Sequence, residues 1–331
     1  MKRTIFNFVV TVLVVALSSR EVYAKAALAQ VRIQVVDQDG CIVPGAKIWG
    51  GFTCGPGMND FVEVDGITDT NGMYVAQGKC NEFLRFEVRK EGYYLTEEKI
   101  FFGRSKADPI IADGKWQPCG VMMEVVLKKI KNPIKMVVPP SRINEAISLG
   151  EWHEYDLVAR EWMPPYGNGK QTDVLIRLGL EAKNDISDFR ATMDLCFTNS
   201  PYSGVYRMQK EQFSEMKSCY VADTNAVYET MVSNLYEKRP HKKTIDTRLT
   251  EDSYFVFRIR TTVDAFGKLV SAHYGKILGP WEFFGTMRTG TVCFNPTPND
   301  TNLEDAETAR LSRLGYKQSL EFERRRKAGG K

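Results

Sequence analysis

The sequence predicts a mostly β protein, a seven-stranded N-terminal β-sandwich followed by a second antiparallel β-rich domain with minor helix. Three observations carry this. Val31-Arg-Ile-Gln-Val-Val36 alternates apolar and polar residues, as a half-buried strand requires, and breaks at the Asp/Gly turn Asp37-Gln-Asp-Gly40. Thr68-Asp-Thr-Asn-Gly72 is a second such turn, and Leu84, Phe86 and Val88 then recur at period two. Far along the chain, Tyr254 to Ile259 and Leu269 to Tyr274 flank Asp264-Ala-Phe-Gly267 as the clearest hairpin of all.

Taken in order, residues 1–24 read as a secretory signal peptide. Lys2 and Arg3 precede an apolar run from Ile5 to Leu17, and Val22-Tyr-Ala24 fits the small-residue cleavage rule, with Ala27-Leu-Ala29 as an alternative cut. The run falls short of the roughly 18 to 20 apolar residues of a membrane span, and no later segment reaches that length, so the mature chain is expected in the periplasm or outside the cell, without an integral membrane segment. The first cysteine is Cys41, too far from the cleavage site for a lipid anchor.

Residues 25–138 carry the sandwich, with strands near 31–37, 45–53, 61–68, 73–79, 83–90, 97–102 and 121–130, each reversing the last. Prolines in Lys131-Asn-Pro-Ile-Lys-Met-Val-Val-Pro-Pro140 and the polar stretch after them mark 139–151 as a linker. Within 152–302, the segment from Trp152 to Gly169 reads as an aromatic loop. Asp173 to Leu180 and Phe189 to Phe197 read as paired strands, Lys210–Cys219 as a short helix, and Trp281–Met287 with Thr291–Phe294 as another strand pair. Residues 303–331 form a helical or disordered basic tail, its helix capped at Asn302.

Val-x-Asp-x-x-Gly from Val35 to Gly40, Pro44-Gly45-Ala46, Thr68-Asp-x-x-Gly72 and Lys90-x-Gly-Tyr-Tyr94 together resemble the carboxypeptidase regulatory-like domain, a transthyretin-like β-sandwich. The resemblance runs from roughly Val31 to Ile130, under a third of the chain. It implies a fold and an exported context; it implies no activity, since that module is an accessory domain in unrelated bacterial exported proteins and carries no catalytic residues to transfer. Trp162-Met-Pro-Pro-Tyr-Gly167, Tyr274-Gly-Lys-Ile277 and Asn295-Pro-Thr-Pro-Asn-Asp300 are similar to a C-terminal region of exported proteins that begin with the same module, again without an activity.

Seven cysteines in an exported chain imply disulfides and at least one unpaired thiol. With alternating strands, Cys41 lies at one end of the sandwich and Cys54, Cys80 and Cys119 gather at the other. Cys54–Cys80 is the preferred pair, Cys80–Cys119 the second choice, and Cys41 is expected free. Pairing among Cys196, Cys219 and Cys293 stays open. Zinc lacks a Cys-x-x-Cys pair and a nearby His.

Catalytic motifs do not emerge. His153, His241 and His273 share no metal-ligand spacing, and nucleophile elbow, phosphate loop and dinucleotide fingerprint are all missing. With 41 acidic residues, some carboxylate pair will stand at glycosidase distance by chance, so none is chosen. Asp37/Asp39 and Asp65/Asp69/Asn71 read as hairpin turns rather than calcium ligands. A net charge of +4 is too mild for nucleic acid. The basic cluster Lys238-Arg239-His241-Lys242-Lys243 reads as solvated surface. No catalytic residue, cofactor or metal is therefore assigned. The expected role is that of a non-enzymatic envelope or extracellular interaction protein whose partner is an envelope protein or a polysaccharide. Its alternatives are a carbohydrate binder using exposed aromatics, with Trp162, Tyr166 and Trp281 as platform candidates, and a hydrolase with its site in the C-terminal domain.

Overall fold

The computed structural model describes residues 26–54, 60–102, 111–140, 143–145, 147–185, 188–211, 213–239, 242–246 and 252–329; the expected signal peptide and His241 lie outside them. The chain is mostly β, with a single long helix at its C-terminal end among the described residues.

The first nine strands are β1 (Ala27–Asp37), β2 (Lys47–Cys54), β3 (Asp60–Ile67), β4 (Met73–Cys80), β5 (Phe83–Arg89), β6 (Thr96–Phe101), β7 (Ile111–Ala112), β8 (Lys115–Trp116) and β9 (Val121–Leu127). They form two sheets. One runs β4-β1-β8-β7 with β9 also on β1, and the other runs β3-β2-β5-β6. β9 lies parallel to β1, Val31 opposite Val121, and the short β8 also runs parallel to β1, so the seven expected strands are joined by the small β7–β8 pair before β9. The alternation in β1 has its expected cause, for Val31, Ile33 and Val35 are fully buried against Ile48, Phe52, Leu84, Phe86 and Val125.

The turn residues act as local braces. Asp37 Oδ1 accepts the amides of Asp39 and Cys41, both at 2.9 Å, and Asp69 Oδ1 accepts those of Asn71 and Met73 at 2.9 and 2.8 Å. Gly72, at φ +69°, could carry no side chain in any case: a Cβ there would meet the Val35 carbonyl at 2.7 Å.

The second half contributes β10 (Ile143–Glu145), β11 (Trp152–Asp156), β12 (Glu161–Trp162), β13 (Val174–Asp185), β14 (Asp188–Cys196), β15 (Gly204–Gln209), β16 (Met231–Arg239), β17 (Lys242–Asp246), β18 (Ser253–Val263), β19 (Leu269–Leu278), β20 (Glu282–Phe283), β21 (Thr286–Arg288) and β22 (Thr291–Phe294). A six-stranded sheet β12-β11-β13-β14-β16-β17 faces a four-stranded sheet β15-β18-β19-β22, with Ile176, Met193, Phe255, Phe257, Trp281 and Phe294 in the core between them. β10, β21 and β20 make a small third sheet, so the expected linker supplies a strand. The expected aromatic loop likewise contains β11 and β12, where Tyr155 pairs with Trp162.

Two expectations are corrected. Lys210–Cys219 is not helical: Ser214 bridges Thr96 on β6, the Glu97 amide donates to the Phe213 carbonyl at 2.9 Å, and the Glu215 amide donates to the Leu95 carbonyl at 2.9 Å. The segment closes the open edge of β6, whose unpaired backbone groups favour an extended neighbour over a helix. The helix α1 (Ala306–Gly329) starts later than expected. Asp305 is its cap, Oδ2 accepting from the Thr308 amide at 2.9 Å and hydroxyl at 3.0 Å, whereas Asn302 Oδ1 is engaged with the Glu304 amide one turn earlier.

The same region locks the two halves together. Buried Lys128, just past β9, donates to Glu211 Oε1 at 2.8 Å and to the Ser218 carbonyl at 2.7 Å. Lys276 on β19 donates to Ser218 Oγ at 2.8 Å and the Leu303 carbonyl at 2.7 Å, and burial pushes its ammonium pKa down. Glu304 accepts the Tyr94 hydroxyl at 2.9 Å and the amides of Lys131 and Asn132 at 2.7 and 2.6 Å.

Candidate functional site

The outer face of the sheet β3-β2-β5-β6 carries two exposed aromatic rings beside a concavity. Strand alternation places Ile48 and Phe52 of β2 in the core, so Lys47, Trp49 and Gly51 turn outward. Trp49 is 45% exposed and Phe61, two residues into β3, is 64% exposed. Between them lie Gly50 and Gly51. A Cβ at Gly50 would stand 2.2 Å from the Arg85 carbonyl, so only glycine permits the approach of β5, and bare Gly51 leaves a floor without side chains. The result is a groove of about 450 Å³ bounded by Trp49, Phe61, Glu63, Arg85 and Glu87.

Helix α1 extends this groove. It crosses β5, anchored by Arg89 on the Gly315 carbonyl and by the Leu95 amide on Ser312 Oγ at 3.3 Å, with its own Ala309 buried against Tyr94 and Met216. Ser319 and Phe322, four and seven residues past Gly315, then hang on the same side of the helix and wall a second cleft of about 290 Å³ against Lys47, Trp49, Asp65 and Arg89. Trp49 lines both clefts.

Charges on this face are matched. Arg85 pairs with Glu97 at 2.7 Å, Arg89 with Glu87, and Lys47 with Asp65. The Glu97 carboxylate beside Arg85 pushes the guanidinium pKa up. Pairs of this kind offset much of the field an ionic ligand would meet, while carboxylate and guanidinium edges still offer hydrogen bonds beside an aromatic plane.

The aromatic candidates chosen from sequence stand elsewhere. Trp162 is 4% exposed and Trp281 0%, both in the core of the second half, so neither offers a ring face to a ligand. Tyr166 is exposed, and its ring meets His153 edge-on at 5.4 Å. Aromatic type alone does not separate a core tryptophan from a surface one. The local signal for the groove was the Gly50-Gly51 pair beside Trp49, since glycine inside a strand marks a close backbone approach and leaves a neighbouring large ring without a side chain against it.

Cys54 ends β2 and Cys80 ends β4, opposite Ala27 of β1, while Cys119 Sγ lies 3.6 Å from Gln30 Oε1. Arg239 pairs with Asp188 at 2.6 Å and Glu237 at 3.0 Å. His273 stacks on Phe294, and His153 Nε2 lies 2.6 Å from Ser148 Oγ. No group of three or more potential metal ligands forms among the described residues.

No protein-family model matches the chain, and no curated protein sequence matches it. Among solved structures, 3-chlorocatechol 1,2-dioxygenase from Rhodococcus opacus 1CP is 15% identical, with TM-score 0.26, over 32% of this chain and 62% of the dioxygenase, less than two thirds of its length. BcpA, the major pilin subunit of Bacillus cereus, is 12% identical over 84% of this chain and all of the pilin, with TM-score 0.23. A provisionally named carbohydrate binding protein from Bacteroides uniformis ATCC 8492 is 10% identical over 80% of this chain and 97% of its own, with TM-score 0.18. At these TM-scores no function transfers from any of them.

Proposed function

We propose that this chain is a non-enzymatic exported protein of the envelope or extracellular space that binds an uncharged polysaccharide along the Trp49–Phe61 groove. The single observation behind it is a pair of exposed aromatic rings flanking a side-chain-free floor on a sheet face whose charges are mutually paired. Sugar rings present apolar C–H faces to aromatic planes and hydroxyls to carboxylates and guanidinium groups, and both kinds of partner stand here side by side. Export rests on the signal-like residues 1–24 and on the resemblance of the first half to a carboxypeptidase regulatory-like module.

The test is calorimetric titration of the chain from Lys25 onward with neutral and acidic oligosaccharides, alongside Trp49→Ala and Phe61→Ala. Neutral chains are expected to bind, and each substitution to weaken binding at least about tenfold. Binding that survives both substitutions, or that is confined to acidic chains, would remove this reading.

The hydrolase alternative has one observation in its favour, the 2.6 Å contact of Ser148 Oγ with His153 Nε2. Edge-on packing of Trp162 and Tyr166 holds the imidazole, and no carboxylate among the described residues hydrogen-bonds to it, so the orienting group of a triad is missing. Covalent capture of Ser148 by a fluorophosphonate would reinstate an enzyme.

A further inference from the structure

Cys54 and Cys80 meet at one end of the first sandwich. The Asn81 amide donates to the Thr53 carbonyl at 2.9 Å, a backbone bond between the residues adjoining the two cysteines. Thr53 Oγ1 closes the same corner, donating to the Phe83 carbonyl at 3.1 Å and accepting from its amide at 3.2 Å. The β4–β5 turn is thereby tied to the end of β2. Both stand as free thiols, and their settings differ: Cys54 is half-buried, whereas Cys80 is fully buried among core residues. Cys119 points instead at Gln30, and Cys41 sits at the far end, in the turn braced by Asp37.

We propose that Cys54 and Cys80 form a disulfide that staples β2 to β4, made in a fixed order with Cys54 reacting first. The oxidant is a disulfide such as glutathione disulfide or an oxidised dithiol protein. Cys54, as its thiolate, attacks one sulfur of the oxidant, forming a mixed disulfide and expelling one thiolate. Cys80 then gives up its proton to solvent and attacks Cys54 Sγ, expelling the second thiolate. The two protein thiols lose two electrons and two protons, and the oxidant's S–S bond becomes two thiols. The order follows from access. Burial pushes the Cys80 thiol up to about 12, so it forms too little thiolate to meet an oxidant in solution, but it serves once Cys54 carries the mixed disulfide beside it.

The chain from Lys25 onward is to be equilibrated in a glutathione redox buffer, quenched with an alkylating agent under denaturing conditions, and mapped by peptide mass. A linked Cys54–Cys80 peptide, lighter by two hydrogens than the two free peptides, is the expected product. In Cys80→Ala, Cys54 is expected as a stable glutathione adduct; in Cys54→Ala, Cys80 is expected to remain a free thiol, recovered as its alkylated peptide from the denaturing quench. Recovery of both thiols as free alkylated peptides from the oxidised wild-type chain, or a Cys80–Cys119 link, would overturn the proposal. So would glutathione on Cys80 in Cys54→Ala. The wild-type map decides the linkage whether or not the variants fold, the glutathione adducts decide the order, and sugar binding plays no part in either.

Discussion

Glu98 shows what one residue can do against its surroundings. On β6 it stands opposite Phe86, on the core side of the sheet, and burial lifts its carboxyl to about 7, offset only in part by the Lys99 amide. In the unfolded chain a Glu titrates near about 4.3. Between those values the folded state holds the proton more tightly, so stability falls as pH rises from about 4 to about 7, and the full penalty applies above that window. Glu98→Gln is expected to raise stability at pH 8 by on the order of 3 kcal/mol and to change it little at pH 4. Urea midpoints at the two pH values measure this, and an equal shift at both would refute it. Local residue roles of another kind were legible in advance. Asp37 and Asp69 brace their own turns because the groups they bond lie two and four residues away. Trp49 and Trp281 could not be told apart in that way, since exposure depends on which sheet covers which.

Elements follow the same division. The β18–β19 hairpin and the β1 alternation were readable, because strand period and turn chemistry are set within a few residues. The start of α1 was not, since Asn302 and Asp305 are equally good caps by type and each binds an amide ahead of it. Helix geometry begins only after Asp305. Asp305→Ala is therefore expected to cost about 1 kcal/mol, whereas Asn302→Ala should leave the helix start unchanged. Circular dichroism at the helix band and urea midpoints together discriminate the two. The 210–219 segment departs from its expected helix for a related reason: its Lys, Glu and Met residues favour helix locally, yet the open edge of β6 and the carbonyl-seeking Lys128 hold it extended.

At the scale of the molecule, the lysine seam joins the two halves. Lys128 satisfies the Ser218 carbonyl and Glu211, and Lys276 reaches the same serine from the other side. Removing a buried charged donor leaves its acceptors dry and unpaired, at a cost of roughly 2 to 4 kcal/mol. Lys128→Ala is expected to split unfolding of the chain into two calorimetric transitions, one for each half. One transition at the wild-type midpoint would show that the seam does not couple them. The aromatic groove belongs to this scale too, since α1 comes from the last residues of the chain and its wall stands against a strand of the first half.

The sequence by itself determined that the protein is β-rich, where its main turns fall and how strands such as β1 alternate, because these depend on period and on short-range hydrogen bonds. Only the tertiary structure decided which aromatics face water, that the sandwich edge is closed by residue 214, and that α1 walls the Trp49 face of the first sandwich. Each of those outcomes depends on contacts between residues distant in the chain, and no local pattern encodes the energy of such a contact.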